Sequence, residues 1–139
     1  MLKGLNPILG PDLLFALRAM GHGDEIAIVD GNYPAVAHAH RLIRADGHPV
    51  TAILEGILSV MPVDDMVEEA IFIPHHDKTQ QCHTDFKSIV ARHEPKIAVI
   101  PLVGQAFYDR VKTCYAIVAS GEPALYANII LRKGVIYPA

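Results

Sequence analysis

The sequence predicts a single α/β domain over residues 1–139, built on a mixed, mostly parallel sheet with helices on both faces. Three observations predict it. Short, almost wholly apolar segments alternate with segments whose apolar residues recur at helical spacing. Strands that are apolar at successive positions are buried on both sides, which calls for a helical layer on each face of the sheet. The length of 139 residues, with 51% apolar and 19% charged, suits one folded unit with a sizeable core.

The elements follow in order. Residues 12–20 carry apolar side chains at helical spacing, and Pro11 precedes them in the first turn, where its missing N–H costs nothing. Gly21 is suited to end that helix in a left-handed conformation. Residues 24–30 read as a short buried strand bounded by charge. A second helix is expected over 50–60, then a strand over 69–73 stopped by Pro74. A polar helix over 79–93 precedes the strand 96–100. Residues 105–112 read as a short helix that runs into the strand 114–119, and 128–131 form the last strand. The two C-terminal strands look hairpin-like, which makes the sheet mixed rather than purely parallel.

Composition narrows the function. The net charge is −3 and the basic residues are scattered, Arg132-Lys133 being the densest pair. No basic stripe exists to displace counterions from phosphates, so no nucleic-acid partner is expected. Apolar runs end well short of the ~20 residues that cross a bilayer, and no cationic leader precedes one, so no membrane partner is expected either. Cys82 and Cys114 lack metal-ligand spacing and read as packed, reduced thiols of a cytoplasmic protein. The glycines show neither dinucleotide-binding nor phosphate-loop spacing. What remains is a domain that acts on a small metabolite.

Two clusters carry chemistry. The first is Gly21-His22-Gly23-Asp24, followed by Asp30 at the end of a strand. A histidine between two glycines has little local cover, and an imidazole can both give and take a proton. Asp30 lies at the carboxyl end of a strand, where ligand sites form in open α/β sheets. Spacing alone favours the plainer alternative, a solvated turn histidine and a strand-ending aspartate, because single His/Asp pairs are common. The second cluster runs from Ser120 to Leu131. There Tyr126 and Asn128 alternate at the start of a strand and share a face, offering a stacking surface beside an amide donor and acceptor, a combination suited to a sugar. On sequence alone it is equally good to read Tyr126 as packing and Asn128 as satisfying a turn.

Other polar groups read more plainly. Adjacent His75 and His76 point to opposite sides of a strand and lack a third ligand, so they read as solvated loop histidines and no metal is expected. His38 and His40 alternate and suit a strand or loop surface. Asp64-Asp65 and Glu68-Glu69 read as solvated charges. Neither cysteine sits where its thiol would be activated.

Taken together the segments resemble the ribose pyranase and L-fucose mutarotase family (RbsD/FucU). The resemblance is carried by Met1-Leu2-Lys3-Gly4-Leu5, by Met20-Gly21-His22-Gly23-Asp24-Glu25-Ile26 with Asp30, and by Pro34-Ala35. Ile43-Arg44-Ala45-Asp46-Gly47, Phe107-Tyr108-Asp109-Arg110, Ser120-Gly121-Glu122 and the run from Tyr126 to Leu131 with Lys133-Gly134-Val135 extend it. It covers nearly the whole chain and is weakest over residues 66–98.

The resemblance implies a cofactor-free isomerase that interconverts sugar anomers, L-fucose first. Alternatives are pyranose–furanose exchange of D-ribose and a sugar-binding protein without turnover. It places His22 on the catalytic histidine, Asp64 on an aspartate assigned a catalytic role, and Asp30, Tyr108, Tyr126 and Asn128 on sugar-contacting positions. It also implies a homo-oligomeric ring, often a decamer. One departure stands out: Gly104 occupies the place where the fucose branch carries an arginine, so a guanidinium clamp on sugar hydroxyls is absent.

Overall fold

A computed structural model describes residues 1–139. The elements in chain order are α1 (Pro11–Ala19), β1 (Glu25–Val29), α2 (Ala35–His38), β2 (Leu42–Ala45), α3 (Val50–Leu58) and β3 (Ile71–Pro74). They continue with α4 (Gln81–His93), β4 (Val99–Leu102), α5 (Gln105–Thr113), β5 (Ala116–Ser120) and β6 (Ile129–Arg132). The six strands form one sheet in the order β2-β5-β1-β6-β3-β4. β5 runs parallel to both β2 and β1, and β3 runs parallel to β4. β6 is antiparallel to β1 and β3 between them, which makes the sheet mixed.

The period-two alternation of the strands divides the apolar residues between two cores. Ile26 and Ile28 of β1 join Ile71, Val118, Ile129 and Leu131 under α1, α3 and α4. Ala27 and Val29 face the other way, with Phe72, Ile117 and Ile130, and are covered by Phe107 and Val111 of α5 and by Ala35 of α2. Phe72, Phe86 and Phe107 are all fully buried. Each such side chain contributes ~1.5–3 kcal/mol relative to exposure. Arg110 makes two hydrogen bonds to Glu25, at 3.0 and 2.7 Å, and lies over the Phe72 ring, tying α5 to the sheet. No helix is long and apolar enough to cross a membrane.

Four expectations are corrected. β5 and β6 are not a hairpin: they flank β1 on opposite sides, so residues 121–128 must pass over the end of β1. Gly21 does not take the left-handed conformation; Gly23 does, at φ +88. α1 instead ends at Met20, and Lys133 Nζ donates to the carbonyls of Leu17 and Met20 at 2.7 and 2.6 Å, satisfying the helix end. α2 and β2 lie where no element was expected, each only four residues long and too brief for a readable period. Pro74 closes β3 from within rather than beyond it, on the strand that pairs with the edge strand β4.

Gly121 marks the tightest passage. Its N–H donates to the His48 carbonyl, and a Cβ added there would collide with the Asp46 carbonyl oxygen. Gly121→Ala therefore forces main chain against main chain. The expected cost is ~1–3 kcal/mol, read as a lowered urea midpoint; an unchanged midpoint would mean the passage can widen freely.

Candidate active site

At the carboxyl end of β1 the polar groups are organised around Asp30, which is buried. The Asp30 N–H donates to Asn128 Oδ1 at 2.8 Å, and Asn128 Nδ2 donates to Asp30 Oδ2 at 3.1 Å. A backbone N–H only donates, so this pairing fixes which end of the Asn128 amide is oxygen. The Asn32 N–H donates to Asp30 Oδ1 at 2.8 Å, closing a turn directly after the strand.

The chain returning from β5 is steered to this point by its own side chains. Ser120 Oγ donates to the Val29 carbonyl at 2.6 Å and accepts the Glu122 N–H at 3.2 Å. The Gly31 N–H donates to the Glu122 carbonyl at 2.8 Å, and Glu122 Oε1 accepts the Ala124 N–H at 2.9 Å.

Two tyrosines close the site. Tyr108 projects from α5 and stacks on Tyr33, with centroids 5.6 Å apart and planes at 14°. Burial pushes the Tyr33 phenol well above its ordinary value, so it stays protonated, and its hydroxyl shares a hydrogen bond of 2.9 Å with His38 Nδ1. Tyr126 arrives from the loop with φ +62, the one non-glycine residue in the left-handed region. Asp30, Asn32, Tyr33, Tyr108, Tyr126 and Asn128 share a cleft of about 200 Å³. That is below the ~300–1,000 Å³ of drug-sized sites, the scale of one small polar molecule.

A second polar constellation lies beyond the other end of β1. His22 Nε2 is 3.1 Å from Asp64 Oδ1, and Arg132 Nε donates to Asp64 Oδ2 at 2.8 Å. The Met66 N–H also donates to Asp64 Oδ1, at 3.1 Å. Burial drives the Asp64 carboxyl upward, but the Arg132 guanidinium, the Met66 N–H and His22 outweigh it and hold Asp64 below the usual carboxylate value. An ionised carboxylate only accepts, so His22 Nε2 carries hydrogen and a neutral ring keeps Nδ1 free to take a proton. The His22 side chain remains 42% exposed. Gly23 makes room here: a Cβ on it would stand 3.0 Å from an Arg132 nitrogen, and its φ of +88 strains any other residue.

The structure thus brings Asp30, Tyr108, Tyr126 and Asn128 together, and joins His22 to Asp64. It does not join His22 to Asp30. Five strand residues separate the two ends of β1, a span of ~16 Å, so the sequence neighbours form two constellations rather than one.

Asp64 is not a solvated charge but wholly buried, because the bridge between Val63 and Lys133 draws it under β6. Tyr126 and Asn128 lie in a turn before β6 rather than on a strand face; β6 begins only at Ile129. His75 bonds Asp77 at the surface, whereas His76 packs its ring 4.4 Å from that of Tyr126. His38 ends α2 and shares no strand face with His40.

No three His, Cys, Asp or Glu side chains gather as a metal-holding group. Both cysteines are free thiols, with burial pushing each upward. The sequence reading missed Arg132 and Tyr33. An arginine directly after an all-apolar strand was the available signal for the first, since it needs a partner at the sheet end.

Gly104 has φ +57 and ψ −129, a conformation that glycine alone adopts at ease, and opens α5 as its N-cap. Nothing lies within 4 Å of where its Cβ would be. The backbone at Gly104 thus disfavours any residue with a Cβ, the arginine raised by the resemblance included.

The comparisons agree over nearly the whole chain. The RbsD / FucU transport protein family model matches residues 3–136. An L-fucose mutarotase of Glaesserella parasuis is 39% identical, with 97% of this chain and 96% of that one covered. The human fucose mutarotase is 40% identical over 97% of this chain and 94% of its own. A crystal structure of the Streptococcus pneumoniae fucose mutarotase in complex with L-fucose superposes with a TM-score of 0.90 at 40% identity, covering 98% of this chain and 100% of that one.

The electrostatics at Asp64 generate a pH prediction. Its carboxyl is depressed in the folded state, so its contribution to stability is present above the unfolded value of ~4 and is lost as pH falls through the lower folded value. Urea midpoints of the wild type should therefore fall more steeply between roughly pH 5 and pH 2 than those of Asp64→Asn. Parallel slopes would show that Asp64 carries no such linkage.

Proposed function

The chain belongs to the RbsD/FucU family, and from that footing we propose that it is a monosaccharide mutarotase, interconverting the anomers of L-fucose by opening and reclosing the ring. The observation that carries the reading is the pocket in which the buried Asp30–Asn128 pair faces two half-exposed tyrosines. Aromatic rings cover the apolar face of a sugar, while a carboxylate and an amide whose orientation is already fixed take its hydroxyls. Asp30, Tyr108, Tyr126 and Asn128 are the sugar-binding residues of this proposal.

Opening a cyclic hemiacetal requires a proton on the ring oxygen and removal of one from the anomeric hydroxyl; closing reverses both. His22 is the residue suited to that traffic, because Asp64 holds its Nε2 and leaves Nδ1 unencumbered. Asp64 stabilises the imidazolium that forms, and Arg132 keeps Asp64 in place. A positioned acid–base group of this kind contributes ~10²–10⁴-fold in rate.

The distance between the two constellations is supplied by assembly. A head-to-tail ring of identical copies brings the His22 end of one protomer to the Asp30 end of its neighbour, the heterologous contact closing when its rotation divides a full turn. Large exposed apolar side chains support an interface, among them Leu2, Phe15, Val103, Leu125 and Ile136. A cytoplasmic location belongs to the same proposal, supported by the two free thiols.

NMR exchange spectroscopy between the anomer signals of L-fucose is the test. The wild type should accelerate exchange and His22→Ala should lose ~10²-fold or more, whereas Asp30→Ala should chiefly weaken binding by calorimetry. Binding without exchange in the wild type would turn the reading to a sugar-binding protein, the alternative favoured by Gly104. Mixed His22→Ala and Asp30→Ala protomers should recover part of the activity if each site draws on two copies; no recovery after subunit exchange would overturn the shared site.

A further inference from the structure

Helix α4 contributes one buried histidine that neither constellation employs. His83 stands in the first turn of α4, 7% exposed, with Nε2 2.7 Å from the carbonyl oxygen of Tyr126. A carbonyl only accepts, so Nε2 carries the proton and donates. Burial pushes the imidazole below the ordinary histidine value, an effect the bond to Tyr126 only partly offsets. The ring is accordingly neutral near pH 7, and the bond fixes its tautomer.

The same carbonyl also accepts the Asn128 N–H at 2.9 Å, so Tyr126, Ala127 and Asn128 form a tight turn closed by two donors on one oxygen. The turn is strained at φ +62 on Tyr126, a conformation that L-residues with side chains hold only when their surroundings enforce it. Ala127, at its centre, is fully buried. The side chains on either side of it are the Tyr126 ring and the Asn128 amide of the pocket. His76 lies against the Tyr126 ring, but the one side chain bonded to the turn's backbone oxygen is His83.

We propose that His83 is a positioning residue: by holding the Tyr126 carbonyl it keeps the 126–128 turn in the strained form that presents Tyr126 and Asn128 beside Asp30. The proposal rests on the reading of Tyr126 and Asn128 as sugar-binding residues. Since proton transfer is assigned to His22, supported by Asp64, at the far end of β1, loss of His83 acts on sugar affinity rather than on the chemical step.

Three measurements test it on the full-length protein. In His83→Leu, KM for L-fucose should rise ~10-fold, the effect of losing one buried hydrogen bond, while kcat stays within about twofold. In His83→Gln the amide nitrogen reaches the position of Nε2, so KM should return toward the wild-type value. Amide hydrogen exchange of residues 124–129, measured without sugar, should quicken in His83→Leu and recover in His83→Gln.

Tyr126→Ala and Asn128→Ala serve as controls. If both controls raise KM but His83→Leu matches the wild type in KM and exchange, the His83 proposal is overturned. It is overturned equally if His83→Gln rescues neither. If the controls leave KM unchanged, the sugar-site reading falls, and the exchange data alone decide whether His83 holds the turn. Should His83→Leu fail to fold, His83→Asn, whose shorter amide falls away from the carbonyl, replaces it in every comparison.

Discussion

The reciprocal hydrogen bonds between Asp30 and Asn128 join two points 98 residues apart, and much of the structure exists to make them possible. For Asn128 to reach Asp30, the chain leaving β5 has to cross the end of β1 before entering β6 on its far side. Ser120, Gly121 and Glu122 guide the crossing through hydrogen bonds with Val29, His48 and Gly31 respectively. The antiparallel insertion of β6 and the formation of the pocket are thus one event in the chain's path. A hairpin between β5 and β6 would leave β1 uncrossed and Asp30 without its partner.

That topology also explains how the sequence could be read. The long periodic helices and the all-apolar strands were legible because each buries a face whose spacing is visible locally, as with Leu13, Ala16 and Leu17 of α1. α2 and β2 were not, because four residues carry no period. The sheet order was hidden too: nothing in residues 121–128 states that they bridge over a strand rather than turn beside it. Asp30 was legible as a strand-ending carboxylate and Tyr126 with Asn128 as an alternating pair, whereas Tyr108 came only with the resemblance to a family, which also tied the four together.

The second constellation illustrates the opposite case. Asp64 reads as one of two adjacent surface carboxylates, and only the pairing of Val63 with Lys133 reveals that it is buried while Asp65 stays outside. A buried carboxylate with one partner removed is strongly destabilising. The three donors around Asp64 are therefore a condition of folding as much as of chemistry, and His22 is oriented by a group the fold must satisfy anyway. Lys133 adds a further tie, since its ammonium closes the end of α1 while its main chain pairs with Asp24. The turn that carries His22 is held between these two contacts.

At Gly104 the backbone, and not only the side chain, selects glycine. A residue with a Cβ at φ +57 and ψ −129 carries a backbone penalty of ~1–2 kcal/mol or more. An arginine introduced there would bear that penalty unless the start of α5 rearranged. Any substitution at this position therefore meets the backbone penalty before a new side chain can gain a contact.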